Sequence, residues 1–268
     1  MFNCSSILKG KIIMNILMTN DDGYSEITFS TPYKILSQEH NVFVSAPLSQ
    51  RSCAAQSIQL ATKLHYMKIQ GGFAIDTTPA NCVKLAVGGF FKDIKFDWIL
   101  SGMNDGLNMA GDIIYSGTVA AAREGYCKNI NSIAYSIERD KTDKTIAFAT
   151  HYLMDLIEKL NNNNGIHFLN INFPGNKIPF GTKLTTLGQR SFQEKITFYD
   201  HANEKYAILD SYGYTDEFVL NSDVICLEKN FISITPLSYN LDCNLKALRT
   251  FNDSIISIYD RQVEDYLV

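Results

Sequence analysis

Short apolar runs closed by turn signals alternate, through residue 175 or so, with stretches whose apolar residues recur at helical spacing. The runs predict strands at 15–19, 42–46, 98–100, 133–136 and 167–172. Between them a mixed amphipathic segment reaches about Gln38. Thr78-Pro79 reads as an N-cap followed by proline at the first helical position, opening a helix to about Val87. Residues 116–125 read as an alanine-rich helix. A longer helix over 142–160 sets Ala149, Leu153, Leu156, Ile157 and Leu160 on one face, and the asparagine tract 161–164 with Gly165 stops it.

Such alternation predicts an α/β fold, a mostly parallel sheet with helices on both faces. Ligands of these sheets sit beyond the carboxyl ends of the strands, at a topological switch point. Loops 20–23, 47–57 and 101–117 each follow a strand directly and are expected to converge on that edge. Beyond about residue 180 the pattern changes. Segments 183–187, 194–199 and 206–209 look like strands of a hairpin-rich appendage, and 231–235 returns as a strand. The expected organisation is an N-terminal extension (1–13), an α/β core (14–180), and a final part (181–268) of hairpin-rich segment, returning strand and C-terminal arm. Residues 1–13 are weakly basic, with no continuous apolar core and no small-residue cleavage site. In the arm, Leu241, Leu245, Ala247 and Leu248 are candidate packing residues, compatible with exchange between subunits.

Composition narrows the functional classes. The chain has 268 residues, 46% of them hydrophobic and 19% charged, ordinary for a globular protein. A net charge of -4 provides no basic field for a nucleic acid polymer. An anionic substrate would therefore need a local positive site, such as a metal or a helix N-terminus. Six scattered cysteines without a CxxC pair read as free thiols in a reducing cytoplasm. No apolar run is long enough for a membrane span. There is no GxSxG elbow, P-loop or GxGxxG after the first strand, and all five histidines fall outside the three loops.

The loops themselves carry oxygen ligands. Adjacent Asp21 and Asp22 end the first strand, and both can face one crevice only where the strand has become a turn, which Gly23 permits. Carboxylates so close repel unless a cation lies between them, and they suit Mg²⁺ or Mn²⁺. The same tetrapeptide also fits a polar turn with Asx hydrogen bonds, and an aspartyl-phosphate route through either aspartate stays open. Loop 47–57 offers Ser49, Ser52 and Arg51, the last suited to a phosphate oxygen or a surface carboxylate. Loop 101–117 adds Asn104, Asn108 and Asp112. It leads into Ser116-Gly117-Thr118, a helix start whose N–H groups and hydroxyls could cradle phosphate or simply cap the helix.

Taken in order, TNDDG (19–23), AP with QRS (46–47, 50–52), TPANCVKLA (78–86), SGMNDGLNMAGDIIYSGTVAAAREG (101–125) and SITPL (233–237) resemble the SurE family, known as survival proteins and 5′/3′-nucleotidases. The resemblance covers about residues 14–240. It implies a Rossmann-like three-layer domain with a swapped C-terminal arm, in homodimers or homotetramers. It implies one divalent metal per subunit, Mg²⁺ or Mn²⁺, held by Asp21, Asp22, Ser52 and Asn104. The implied activity is hydrolysis of nucleoside 5′- and 3′-monophosphates, with short polyphosphate as a further substrate. Phosphate contacts carry over to Ser116, Gly117, Thr118 and Asn108, and Asp21 and Asp22 are the catalytic candidates, Asp22 as the residue that orients or deprotonates water. Departures occur at 24–27, which lacks a proline-glycine, and at Cys53, Gln56 and Asn81. They motivate an alternative, a nucleotide-binding regulatory protein with little catalysis.

Overall fold

The computed structural model describes residues 12–161, 165, 167–201 and 204–239. Its strands are β1 (Asn15–Thr19), β2 (Asn41–Pro47), β3 (Tyr66–Ile69), β4 (Gly72–Ile75), β5 (Trp98–Asp105), β6 (Asn131–Ile137) and β7 (Phe168–Phe173). They continue with β8 (Thr182–Leu184), β9 (Gln189–His201), β10 (Glu204–Glu217) and β11 (Ile232–Pro236). The helices are α1 (Ile27–Leu36), α2 (Pro79–Leu85), α3 (Gly117–Tyr126), α4 (Asp143–Leu160) and α5 (Asp223–Glu228). One sheet has the order β3-β4-β2-β1-β5-β6-β7-β11-β8, and β9 and β10 pair with each other in a second. From β4 to β7 all pairings are parallel, while β3 and β11 run antiparallel to their neighbours β4 and β7.

Burial on both faces explains why the central strands read as continuous apolar runs. Ile16, Met18, Trp98, Leu100, Ile133, Tyr135, Leu169 and Ile171 point into one core with α1 and α4. Their alternates Leu17 and Ile99 point into the opposite core with Val83 and Ala86 from the α2 segment and Ala121 of α3. Each fully buried Leu, Ile or Met contributes roughly 2 kcal/mol through removal from water. Along α4, Ile146, Ala149, Leu153, Met154 and Ile157 are the buried positions, and Leu156 and Leu160 pack at the margin. Thr142 and Thr145 close its start with a reciprocal capping box.

α3 lies close on the sheet because Gly125 has no side chain. A Cβ there would stand 2.5 Å from both Ile99 Cδ1 and Ser132 Oγ. Gly125→Ala is expected to cost about 1–3 kcal/mol of overpacking, exceeding the roughly 1 kcal/mol of helix propensity gained. Urea denaturation measures the balance, and a more stable variant would show that this contact can relax.

Several elements differ from expectation. Strand β5 runs on to Asp105 instead of stopping at Leu100, because β6 pairs with it as far as Asp105, whereas β1 pairs with it only to Ser101. Residues 182–184, expected in the appendage, form β8 and pair parallel with β11 in the main sheet. The α2 segment continues past Val87 as a π-helical turn, Ala86–Phe90. The hairpin is one long ribbon, β9 and β10, with a bulge between Ser211 and Gly213. Chain contacts group residues up to Leu237 in one compact unit and assign Ser238 onward to another. The arm residues Leu241, Leu245, Ala247 and Leu248, and most of the 1–13 extension, lie outside the described residues. No helix among the described residues is long and apolar enough to cross a membrane.

Candidate active site

The strand order places the switch point between β1 and β5: connections from β1 lead to β2 on one side, and those from β5 lead to β6 and β7 on the other. The three loops singled out by residue type follow β2, β1 and β5, three adjacent parallel strands, so they share the carboxyl edge. At the end of β1 the Asn20 amide donates to the Gly23 carbonyl at 2.7 Å and closes the turn. Gly23 has φ +111°, a conformation other residues adopt only under strain.

Within this turn the two aspartates diverge to different partners. Asp21 reaches the start of α3, where the Thr118 hydroxyl donates to its Oδ1 at 2.5 Å. Gly117 makes the approach possible, since a Cβ there would lie 3.0 Å from the Asp21 Cβ and 3.1 Å from its Oδ2. Asp22 instead faces the end of β5, its Oδ2 accepting the Asp105 N–H at 3.0 Å. Asp21 is only 5% exposed. Burial pushes its carboxyl up to about 6, opposed by the Thr118 hydroxyl and reinforced by the Asp22 charge. Burial also raises the Asp22 carboxyl, against the Asp105 N–H, while the Asp105 and Glu26 charges add to the rise. Lys141 offsets part of that effect but is itself paired with Asp105 at 2.5 Å.

Loop 47–57 is fastened to the same turn by its backbone, the Arg51 N–H donating to the Asp21 carbonyl at 2.7 Å. That bond sets Ser52 next in the chain; its side chain is exposed, with Oγ accepting from the Gln50 amide at 3.0 Å. The Arg51 guanidinium pairs with Asp76, a carboxylate. Asn104 sits on β5 past a bulge, since Ser101 pairs with Ala134 but Asn104 with Ser136. The extra residue re-aims the strand end. The Asn104 Nδ2 donates to the Gly106 carbonyl at 2.6 Å, which turns its amide oxygen to the opposite side.

The remaining candidates lie around the start of α3. Ser116 is its N-cap, with Oγ accepting the Val119 N–H at 3.1 Å. Thr118 is fully buried, its hydroxyl donated to Asp21. Asn108 is tied into a buried amide network: its Nδ2 donates to Ser136 at 2.9 Å, and its carbonyl accepts from Asn170 and Asn172. Beside Asp22 opens a cavity of about 640 Å³, lined in part by Ser25, Glu26, Ser49, Gln50, Asp105 and Arg139.

Two carboxylates, an amide oxygen and a hydroxyl make a hard oxygen donor set. No cluster of three or more His, Cys, Asp or Glu side chains among the described residues could hold a metal, so any ion here would depend on neutral oxygens as well. Asp21 and Asp22 fit a divalent cation on physical grounds. They are adjacent, Asp21 is buried and Asp22 half-buried, and neither is ion-paired to Lys or Arg among the described residues.

Two supports escaped the sequence reading. Asp223, fully buried, accepts N–H groups from Ala110 at 3.0 Å, Gly188 at 2.8 Å and Val224 at 3.0 Å, clamping the loop before α3 to the entry of the ribbon. Ser222-Asp223 before an apolar run marks a helix start, but nothing local announces the clamp. Asp223→Ala leaves these donors without a partner and is expected to cost about 3 kcal/mol or more, read by thermal or urea unfolding. Arg190 at the base of the ribbon likewise binds Asp216 through two bonds of 2.7 Å and Asp112 through one of 2.7 Å.

Comparison with known proteins agrees with this geometry. Residues 16–194 match the family model described as Survival protein SurE. A protein of Petrotoga mobilis named 5′-nucleotidase SurE is 34% identical over 242 residues, covering 84% of this chain and 93% of the relative. One of the same name from Nitrosomonas europaea is 35% identical over 237 residues, covering 85% and 94%. The crystal structure of the SurE protein from Aquifex aeolicus matches with a TM-score of 0.74 at 29% identity, covering 88% of this chain and 97% of that one. The chain belongs to the SurE family.

Proposed function

We propose that this chain is a 5′-nucleotidase, a metal-dependent phosphomonoesterase that converts nucleoside 5′-monophosphates to nucleoside and phosphate. Nucleoside 3′-monophosphates and short polyphosphate are further substrates in this reading. The observation that carries it is the Asp21–Asp22 pair at the switch point, with Asp21 buried against the start of α3 and Asp22 half-buried against the end of β5. Relatives named 5′-nucleotidase SurE, similar over most of their length, support it.

One Mg²⁺ or Mn²⁺ per subunit would be held by Asp21, Asp22, Ser52 and Asn104, and when bound it supplies charge to polarise the phosphoryl group and acidify water. The chain's own groups do the positioning. Thr118 fixes the Asp21 carboxylate, and the Asp105 N–H occupies one oxygen of Asp22, leaving the other for ligand or water. Asp22 orients or deprotonates the attacking water in this scheme. Ser116, Gly117 and Thr118 bring the positive end of α3 to the phosphoryl oxygens. Asn108 supports the loop from its amide network.

Two of the departures behind the alternative, a regulator with little catalysis, have structural roles. The Asn81 amide donates to the Gln59 carbonyl and the Thr77 hydroxyl, and Gln56 accepts from Arg123. Both act as loop supports. The four described cysteines are free. A homodimer or homotetramer joined through the C-terminal arm beyond Leu237 completes the proposal, and sedimentation velocity on the full chain tests it. For the reaction, chromatography of a 5′-AMP digest should show adenosine and phosphate in equal amounts. Intact AMP after incubation with folded, metal-loaded protein would exclude it.

A further inference from the structure

We propose that Arg139 is a substrate-binding residue whose guanidinium takes the transferred phosphoryl group from the cavity side of the site. The inference rests on the phosphomonoesterase reading and adds a residue to it.

The cavity beside Asp22 is lined by three acidic side chains, Asp22, Glu26 and Asp105, and by a single cation, Arg139. A phosphate monoester entering there meets repulsion that Arg139 alone among the lining residues can offset. Lys141, two residues on, is already paired with Asp105. Arg139 is exposed and has no ion-pair partner among the described residues, so its five donors are available. Its place is set by the backbone. Gly106 donates its N–H to the Ile137 carbonyl at 2.9 Å, bringing the end of β5 beneath the residues that follow β6. There the Arg139 Nε lies 3.4 Å from where a Cβ on Gly106 would be. The guanidinium therefore lies across Gly106, whose carbonyl accepts from the Asn104 amide. A planar fork with free donors lining the cavity beside Asp22 suits bidentate phosphate binding, which lysine reproduces only as a point charge.

Arg139→Gln and Arg139→Lys are compared with wild type on 5′-AMP and on p-nitrophenyl phosphate, with Mn²⁺ present and thermal unfolding as the folding control. The proposal expects KM to rise about ten- to a hundredfold on both substrates in Arg139→Gln, with the lysine variant intermediate. Inhibition by inorganic phosphate should weaken by a similar factor. Unchanged KM and unchanged phosphate inhibition overturn it. A loss on 5′-AMP but not on p-nitrophenyl phosphate would put Arg139 on the nucleoside, and also overturns it. If wild type turns over neither substrate, the phosphomonoesterase reading fails. Calorimetry of phosphate binding to wild type and Arg139→Gln then decides the role of Arg139, equal affinities counting against it.

Discussion

Asp21→Asn is expected to lower phosphate release from 5′-AMP by about a thousandfold or more while leaving the protein folded. In the proposed metal site the substitution would remove a charge that holds the cation, but it keeps an oxygen for the Thr118 hydroxyl, now 2.5 Å from Oδ1. Loss of metal-derived stabilisation worth about 4 kcal/mol corresponds to that factor. The structural cost is small, because the amide is close in shape to the protonated carboxyl that burial already favours. Steady-state rates and circular dichroism on the purified variant test both halves. Near-full turnover with metal bound would remove Asp21 from the ligand set.

The same residue yields a second, opposite effect when metal is stripped away. In the folded chain the Asp21 carboxyl is raised from 3.8 to about 6, so between these pH values the folded state holds a proton that the unfolded state has released. Stability of the metal-free protein therefore falls as pH rises through this window, and the loss is complete above it. The rise from 3.8 to about 6 corresponds to about 3 kcal/mol. The asparagine side chain of the variant does not titrate. In chelator at pH 7.5, Asp21→Asn should thus be more stable than wild type by about that amount, the gap closing below pH ~4. Added Mn²⁺ should stabilise wild type and not the variant. Urea titrations across pH, with and without chelator, read the difference; parallel curves for the two proteins would contradict it.

How much of this was legible in the sequence follows burial and contact range. Strands β1, β2, β6 and β7 announce themselves because both their faces are covered, leaving apolar runs that turn residues end. β3 does not, since Tyr66 and Met67 are exposed, and β8, legible as a strand within 183–187, gives no sign of its place in the main sheet because all of Thr182–Leu184 is exposed. α5 is a six-residue helix, too short for a period to show. At the candidate site, Asp21, Asp22 and Asn104, the proposed ligands, stand out by residue type and position after a strand. The bonds that orient them carry no such mark. Thr118 and Asp21 are 97 residues apart, Ala110 and Asp223 are 113 apart, and Arg190 and Asp112 are 78 apart. Such pairs are created only by the fold.

The central claim is metal-dependent hydrolysis of nucleoside monophosphates at the Asp21–Asp22 turn. Phosphate release from a panel of 5′- and 3′-monophosphates, each with Mg²⁺, Mn²⁺ or chelator, tests it most directly on the purified chain. Release that requires the metal and is highest on nucleoside monophosphates is the predicted result. Folded protein that releases no phosphate with either ion would contradict the account and leave nucleotide binding without catalysis as the function to pursue.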